Sequence, residues 1–191
     1  MAHEDIEVEI KLQLTEKQFL SVQDKLKQIA EAKKASHQID DYFTPAHRDF
    51  LKYDYPYEWL RIGQRSGKTI LNYKHFHPEN TMPFTHCDEF ETEVACPEKL
   101  RKIFASLDIL PLVTVDKQRS TFVFNDEFEI VLDTVKELGC FMEIETIKDF
   151  GSIEQARRRI REFSALLGID PEGSVERGYP YLLMEKKGLL K

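Results

Sequence analysis

The sequence lacks the marks of several large protein classes. No apolar run approaches the roughly 18 residues of a membrane-spanning helix, so no membrane partner is expected. The opening MAHEDIEVEI has no basic start followed by an apolar stretch, which argues against a secretory signal. Cys87, Cys96 and Cys140 are too few to pair completely and lack metal-ligand spacing. They read as reduced thiols of a cytoplasmic protein. A Gly-rich phosphate loop is also missing, which excludes nucleotide binding by that route. Nor is there a low-complexity tract, an obvious linker or a repeat of solenoid length. Basic excess is absent too: 34 acidic residues against 27 basic give a formal charge of -7. That argues against a dedicated nucleic-acid binder while leaving room for a local basic pocket.

What is present suits a soluble globular chain. Its 191 residues are 41% hydrophobic and 32% charged, enough for one sizeable core and far from a disordered composition. A single domain over residues 1–191 is expected.

The element pattern is mostly strand. IEVEIKLQL, Ile6 to Leu14, alternates apolar and charged residues. A helix follows, with Thr15 and Gln18 as a capping box and Phe19, Val22, Leu26 and Ile29 at helical spacing. HQIDDYFTP reads as a strand ended by Pro45, and residues 46–56 as a loop. YEWLRIG and TILNYK read as strands joined at SGK, and HFHPENTMP as a loop. In that loop His75 and His77 have no evident third metal ligand, so solvated histidines are the expectation. DEFETEVA is a strand, and CPEKLRKIFASLD a helix with Pro97 in its first turn. TVDKQRSTFVF and FEIVLDTVKEL form a hairpin around Asn125 and Asp126, and GCFMEIETIK closes the series. Ser152 and Gln155 cap a last long helix to Gly168. This helix, with its QARRRIREF stretch, is basic, but Ile153, Ile160 and Phe163 give it an apolar stripe that marks it as core-packing. GYPYLLMEKK is a short terminal element. About eight strands and three longer helices, without regular β-α alternation, predict an α+β antiparallel sheet, closed or strongly curved.

Strand parity sorts the charges. Glu7, Glu9 and Lys11 share a face. So do Trp59, Arg61 and Gly63; Asn72 and Lys74; Glu89, Glu91 and Glu93; Lys117 and Arg119; Glu143 and Glu145. Asp133 shares its face with Val131 and Val135. On one strand this is an ordinary wet face. Repeated along the chain, it suggests a polar interior holding both signs of charge, because unpaired buried charge is costly. Lys and Arg suit phosphate oxygens. Clustered carboxylates suit a hard divalent cation such as Mg²⁺ or Mn²⁺. Together they suit a metal-chelated polyphosphate.

EVEIK, with Glu7, Glu9 and Lys11, resembles the ExExK signature of the CYTH superfamily, the triphosphate tunnel metalloenzymes. DDYF, WLRIG, LNYK, FETEV, KQRSTF, VLDTV and FMEIE follow in the family's order across nearly the whole chain. The family includes class IV adenylate cyclases, thiamine triphosphatases and inorganic triphosphatases. The resemblance implies an eight-stranded antiparallel barrel with a charged tunnel and flanking helices. It puts Glu7, Glu9, Asp133, Glu143 and Glu145 on acidic, metal-associated positions, with Glu93 a further one and Glu91 its alternate. Glu9, Glu143 and Glu145 are the implied catalytic carboxylates. Lys11, Arg61, Lys74, Lys117 and Arg119 fall on triphosphate-binding positions. A second arginine common in the family's LRxR pattern is replaced by Gly63, and Arg65 would substitute if a bulge or turn brought it inward. Trp59, on the Arg61 face, could stack on a substrate ring, or pack at the sheet rim. The C-terminal segment matches the family only loosely, and Lys186 and Lys187 read as surface lysines. The implied partner is a triphosphate-bearing small molecule. A class IV cyclase is the first expectation, a thiamine or inorganic triphosphatase the alternative, and a non-catalytic polyphosphate sensor the third. Oligomeric state stays open, with a homodimer compatible.

Overall fold

The computed structural model describes residues 6–33, 35–65, 67–175 and 177–190, the side chains of Ile6 and Glu7 excepted. Along the chain run β1 (Ile6–Glu7), β2 (Glu9–Leu14), α1 (Glu16–Ile29), β3 (Glu31–Ala32), β4 (Ser36–Pro45), β5 (Glu58–Arg65), β6 (Lys68–His77), β7 (His86–Glu93), α2 (Pro97–Ser106), β8 (Ile109–Phe124), β9 (Phe128–Val135), β10 (Gly139–Thr146), α3 (Ile153–Leu167) and α4 (Tyr179–Lys186). With β1 and β3 only two residues each, eight longer strands remain among the described residues; β2, β10, β9 and β8 pair antiparallel in that order, and so do β4, β5, β6 and β7. The α+β class read from the sequence is the one observed.

Helix ends form where capping chemistry puts them. Gln18 N–H donates to Thr15 Oγ1 at 3.2 Å while Thr15 N–H donates to Gln18 Oε1 at 2.9 Å. Gln155 N–H donates to Ser152 Oγ at 3.2 Å, and α3 stops at Gly168, whose φ of 82° suits glycine. The β8–β9 turn puts Asn125 and Asp126 at φ 51° and 52°, as a tight hairpin requires.

Some boundaries move. The first strand is interrupted at Val8. β8 starts at Ile109, ahead of the predicted Thr114. GYPYLLMEKK contains a fourth helix, and the segment expected as loop before β5 contains a 3-10 turn, Phe50–Lys52. The largest correction concerns HFHPENTMP. His75, Phe76 and His77 are not in a loop; they continue β6, paired with Asp88, Cys87 and His86 of β7. Cross-strand partners and stacked rings extend this hairpin: His75 and His77 lie 4.7 Å apart between centroids, and His77 and His86 5.0 Å.

The chain divides into two compact units. The first comprises residues 1–6, 37–116 and 178–191. Its strands run β7-β6-β5-β4, with the first half of β8 beside β4. One sheet face is apolar near α2: Phe43, Ile62 and Phe104 are buried together, with Leu60, Leu71, Leu100 and Ile109 around them. Phe43 and Phe104 meet edge-on at 5.1 Å, and Arg101 on α2 donates to Asp41 at 2.6 Å.

The second unit comprises residues 7–36 and 117–177. Its strands run from the second half of β8 through β9 and β10 to β2. Ile10, Leu12, Ile130, Leu132, Met142 and Ile144 line its apolar face. Val22 and Leu26 of α1, with Ile160, Phe163 and Leu167 of α3, are buried with them. Each fully buried aliphatic side chain contributes about 1.5–3 kcal/mol, so α3 is held by its apolar stripe, as its sequence implied.

Candidate active site

In each unit the face away from the apolar core carries the charge. In the second unit, register sets three adjacent rows across the strands. Arg119 pairs with Asp133, and Asp133 with Phe141. Val131 pairs with Glu143, and Glu143 with Lys11. Glu129 pairs with Glu145, and Glu145 with Glu9. Lys117, opposite Val135, lies on the same face as Arg119.

The first two rows are knitted by ion pairs. Arg119 Nε donates to Asp133 Oδ1 at 2.8 Å and its Nη2 to Oδ2 at 2.5 Å. This two-pronged match is what a guanidinium offers a carboxylate. The same Nη2 donates to Glu143 Oε2 at 2.7 Å, and Lys11 Nζ lies 3.2 Å from Glu143 Oε1. Lys117 Nζ lies 3.7 Å from Asp133 Oδ2. Asp133 is fully buried and Lys117 nearly so. Burial alone would raise the Glu143 carboxyl, but Lys11, Arg119 and Lys117 outweigh it and hold Glu143 well below the usual carboxylate range.

The third row differs in chemistry. Glu9, Glu145 and Glu129 are carboxylates on three neighbouring strands, all partly exposed. Glu129 was missed in the sequence, although it sits four residues before Asp133 in FEIVLDTV and so shares its face. Glu7 belongs to β1 by its backbone, but its side chain lies outside the described residues. Hard oxygen donors in this row are of the kind Mg²⁺ or Mn²⁺ takes; among the described residues the three carboxylates do not converge within 4.8 Å of one another, so Glu9 and Glu145, with Glu129 beside them, would hold the ion only after turning toward each other.

The first unit arranges its charge around Arg61. Arg61 Nη2 lies 3.6 Å from Glu89 Oε1 and from Glu91 Oε1, and its Nη1 3.9 Å from Asp40 Oδ2. Lys74 Nζ is 3.2 Å from Glu89 Oε2. Asn72 donates to Glu89, and to Glu91 Oε1 at 2.9 Å. Burial works against the Arg61 charge, but Asp40, Tyr42 and Glu89 more than offset it and raise its pKa. Burial likewise pushes the Tyr42 phenol up, against the opposing pull of Arg61. Asp40 and Glu89 are central here, yet sequence reasoning left both off the site. Asp40 sat unremarked inside DDYF, and Glu89 stood two residues ahead of the glutamates chosen from its strand.

Arg65 points to the Arg61 face by strand parity, without a bulge, and its Nη2 is 2.9 Å from Asp40 Oδ1. Gly63 makes this possible: a Cβ there would stand 2.6 Å from Asp40 Oδ1 and 3.4 Å from Arg65 Cζ. Glu93 is exposed and 2.8 Å from Lys68, on the Glu89 face. Trp59 is 7% exposed and meets Tyr42 edge-on at 5.8 Å. Lys186 and Lys187 are exposed. All three cysteines are free thiols, and among the described residues no helix is long and apolar enough to cross a membrane.

An antiparallel strand scaffold with a cation-and-carboxylate face in each unit is the class of protein defined so far. The family model for the CYTH domain matches residues 5–179, and the chain belongs to that family. Among solved structures, protein PH1819 of Pyrococcus horikoshii OT3 is 28% identical, with a TM-score of 0.79 and coverage of 94% of this chain and 99% of that one. A candidate adenylate cyclase from Vibrio parahaemolyticus is 19% identical, with a TM-score of 0.74 and coverage of 94% and 98%. A candidate adenylyl cyclase from Hippeastrum, described as having a dominant triphosphatase activity, is 18% identical, with a TM-score of 0.65 and coverage of 96% and 95%. The last two share the fold at low identity. No curated protein matches the chain in sequence.

Proposed function

We propose that this chain is a Mg²⁺- or Mn²⁺-dependent enzyme acting on a triphosphate, with residues 1–191 working as one CYTH domain. The carrying observation is the second unit's face, where Lys11, Lys117 and Arg119 are gathered on Glu143 and Asp133 beside the row Glu9, Glu145, Glu129. Triphosphate oxygens would draw on these cations; Arg61 and Lys74 fall on further phosphate-binding positions of the family pattern, with Arg65 as the substitute for the arginine missing at Gly63. A divalent ion bound by the carboxylates would supply positive charge to phosphate oxygens and make a bound water more acidic. Glu143 is held ionised by three cations, so it positions Lys11 and Arg119. Glu9 and Glu145, paired across β2 and β10 in the row beside it, orient the attacking oxygen.

Of the two reactions expected, cyclisation needs base recognition and hydrolysis does not. The buried, edge-packed Trp59 favours the triphosphatase reading, because the ring proposed for stacking is engaged by Tyr42. The Hippeastrum relative's described activity points the same way. Product analysis with ATP, thiamine triphosphate and inorganic triphosphate, each with Mg²⁺ or Mn²⁺, decides it. Orthophosphate supports hydrolysis; cyclic AMP with pyrophosphate would restore the cyclase; tight binding without turnover would support a sensor. Glu9→Gln should lower turnover by about 10²–10³-fold with an unchanged circular dichroism spectrum, and full activity in the folded variant would sink the enzyme assignment.

A further inference from the structure

The β6–β7 hairpin carries a second group of ligating side chains that the charged faces do not use. Register puts His75 opposite Asp88 and His77 opposite His86, so all four share one face. Lys74 and Glu89, which are paired with each other, point to the opposite one. Ligand atoms of His75, His77 and Asp88 all lie within 4.8 Å of one another. His77 Nε2 is already 2.9 Å from Asp88 Oδ2.

We propose that His75, His77 and Asp88 form a binding site for a borderline divalent transition metal, typified by Zn²⁺, on the sheet face opposite the charged one. Two imidazoles and a carboxylate are donors such ions accept, whereas Mg²⁺ favours oxygen alone. Metal–ligand bonds of about 2.0–2.2 Å call for a modest inward turn of the three side chains. They have room to make it, at 23%, 31% and 39% exposure. An outer contact is in place: His75 Nε2 is 2.9 Å from Glu79 Oε1, which leaves its Nδ1 for the ion. A carboxylate in such a position orients a ligating imidazole. Ring stacking alone would account for the imidazole ladder but not for the carboxylate set against it.

The test uses the full chain, stripped of metal and titrated with Zn²⁺ by calorimetry in excess Mg²⁺, which occupies the oxygen-only row. One Mg²⁺-resistant zinc per chain is expected, weakened tenfold or more in His77→Ala and in Asp88→Asn and unchanged in Glu9→Gln. Cobalt should give visible absorption bands in the wild type that both hairpin variants lose. Asp88→Asn is nearly isosteric and half-exposed, so it carries the test if His77→Ala fails to fold. No Mg²⁺-resistant zinc, wild-type affinity in the folded hairpin variants, or a zinc lost only in Glu9→Gln would each overturn the site.

Discussion

The two units solve one problem with different stringency. Both lay helices on one face of an antiparallel sheet and gather charge on the other. In the second unit Arg119 grips Asp133 with two contacts of 2.5 and 2.8 Å, and two long helices cover the apolar side. In the first, Arg61 stands 3.6 to 3.9 Å from three carboxylates, and a ten-residue helix lies over Phe43 and Ile62. Short, dry, two-pronged pairs fix geometry; longer contacts shared among several partners leave a cation able to change partners. The second unit therefore has the features of a preorganised centre, and the first those of a more adaptable charged face.

Asp133→Ala tests this contrast with the largest expected effect. It leaves Arg119 and Lys117 around an emptied buried position and should cost about 3–5 kcal/mol, read from the urea midpoint. Asp40→Ala should cost less, because Arg61 keeps Glu89 and Glu91 and Arg65 is 24% exposed and can turn to solvent. Equal losses would erase the distinction between the units. Glu143→Gln should show a smaller, pH-dependent loss. The folded carboxyl is depressed, so its stabilisation is fully present above the unfolded value of about 4.3 and is lost as pH falls below it. Wild type and Glu143→Gln should differ at pH 7 and converge in acid. A constant gap down to low pH would remove the electrostatic account of Glu143.

Gly63→Ala probes the looser unit. The added Cβ meets Asp40 Oδ1 at 2.6 Å, and the Asp40–Arg65 pair is tied across the strand, so the carboxylate must shift. A loss of about 1–3 kcal/mol is expected, with weaker triphosphate binding in calorimetry. A neutral result would mean that Asp40 moves at no cost.

Strand parity carried most of the fold and much of the candidate site. Lys11, Arg61, Lys74, Lys117, Arg119, Asp133, Glu143 and Glu145 all stand on the faces that alternation assigned. What parity leaves out is register. Which carboxylate meets Arg61 depends on pairing β6 with β7, which sets Asn72 against Glu91 and Lys74 against Glu89. Neither strand announces that alone. The same gap turned β6 into a loop after Lys74. His75 and His77 have modest strand preference by themselves, and their order comes from Tyr57, His86 and Asp88, residues distant in sequence. Arg65 went unplaced for a related reason: its inward course depends on an uninterrupted pairing of β5 with β6, which the chain does not spell out.

The smallest expected effect separates two glutamates of one strand face. Glu93 matched a family acidic position, yet it is exposed and its visible partner is Lys68 at the end of β6. Glu89 is the inner one, 3.2 Å from Lys74, 3.6 Å from Arg61 and bonded by Asn72. Exposed ion pairs contribute little once solvent screens them. Glu93→Gln should leave the urea midpoint unchanged and triphosphate turnover within about twofold of wild type. Glu89→Gln should weaken binding, because Arg61 and Lys74 lose the carboxylate that holds them side by side. Both variants are read in one assay, steady-state kinetics against inorganic triphosphate. A large loss in Glu93→Gln with a silent Glu89→Gln would move the acidic end of this face outward by four residues along β7, to the position the family pattern suggested.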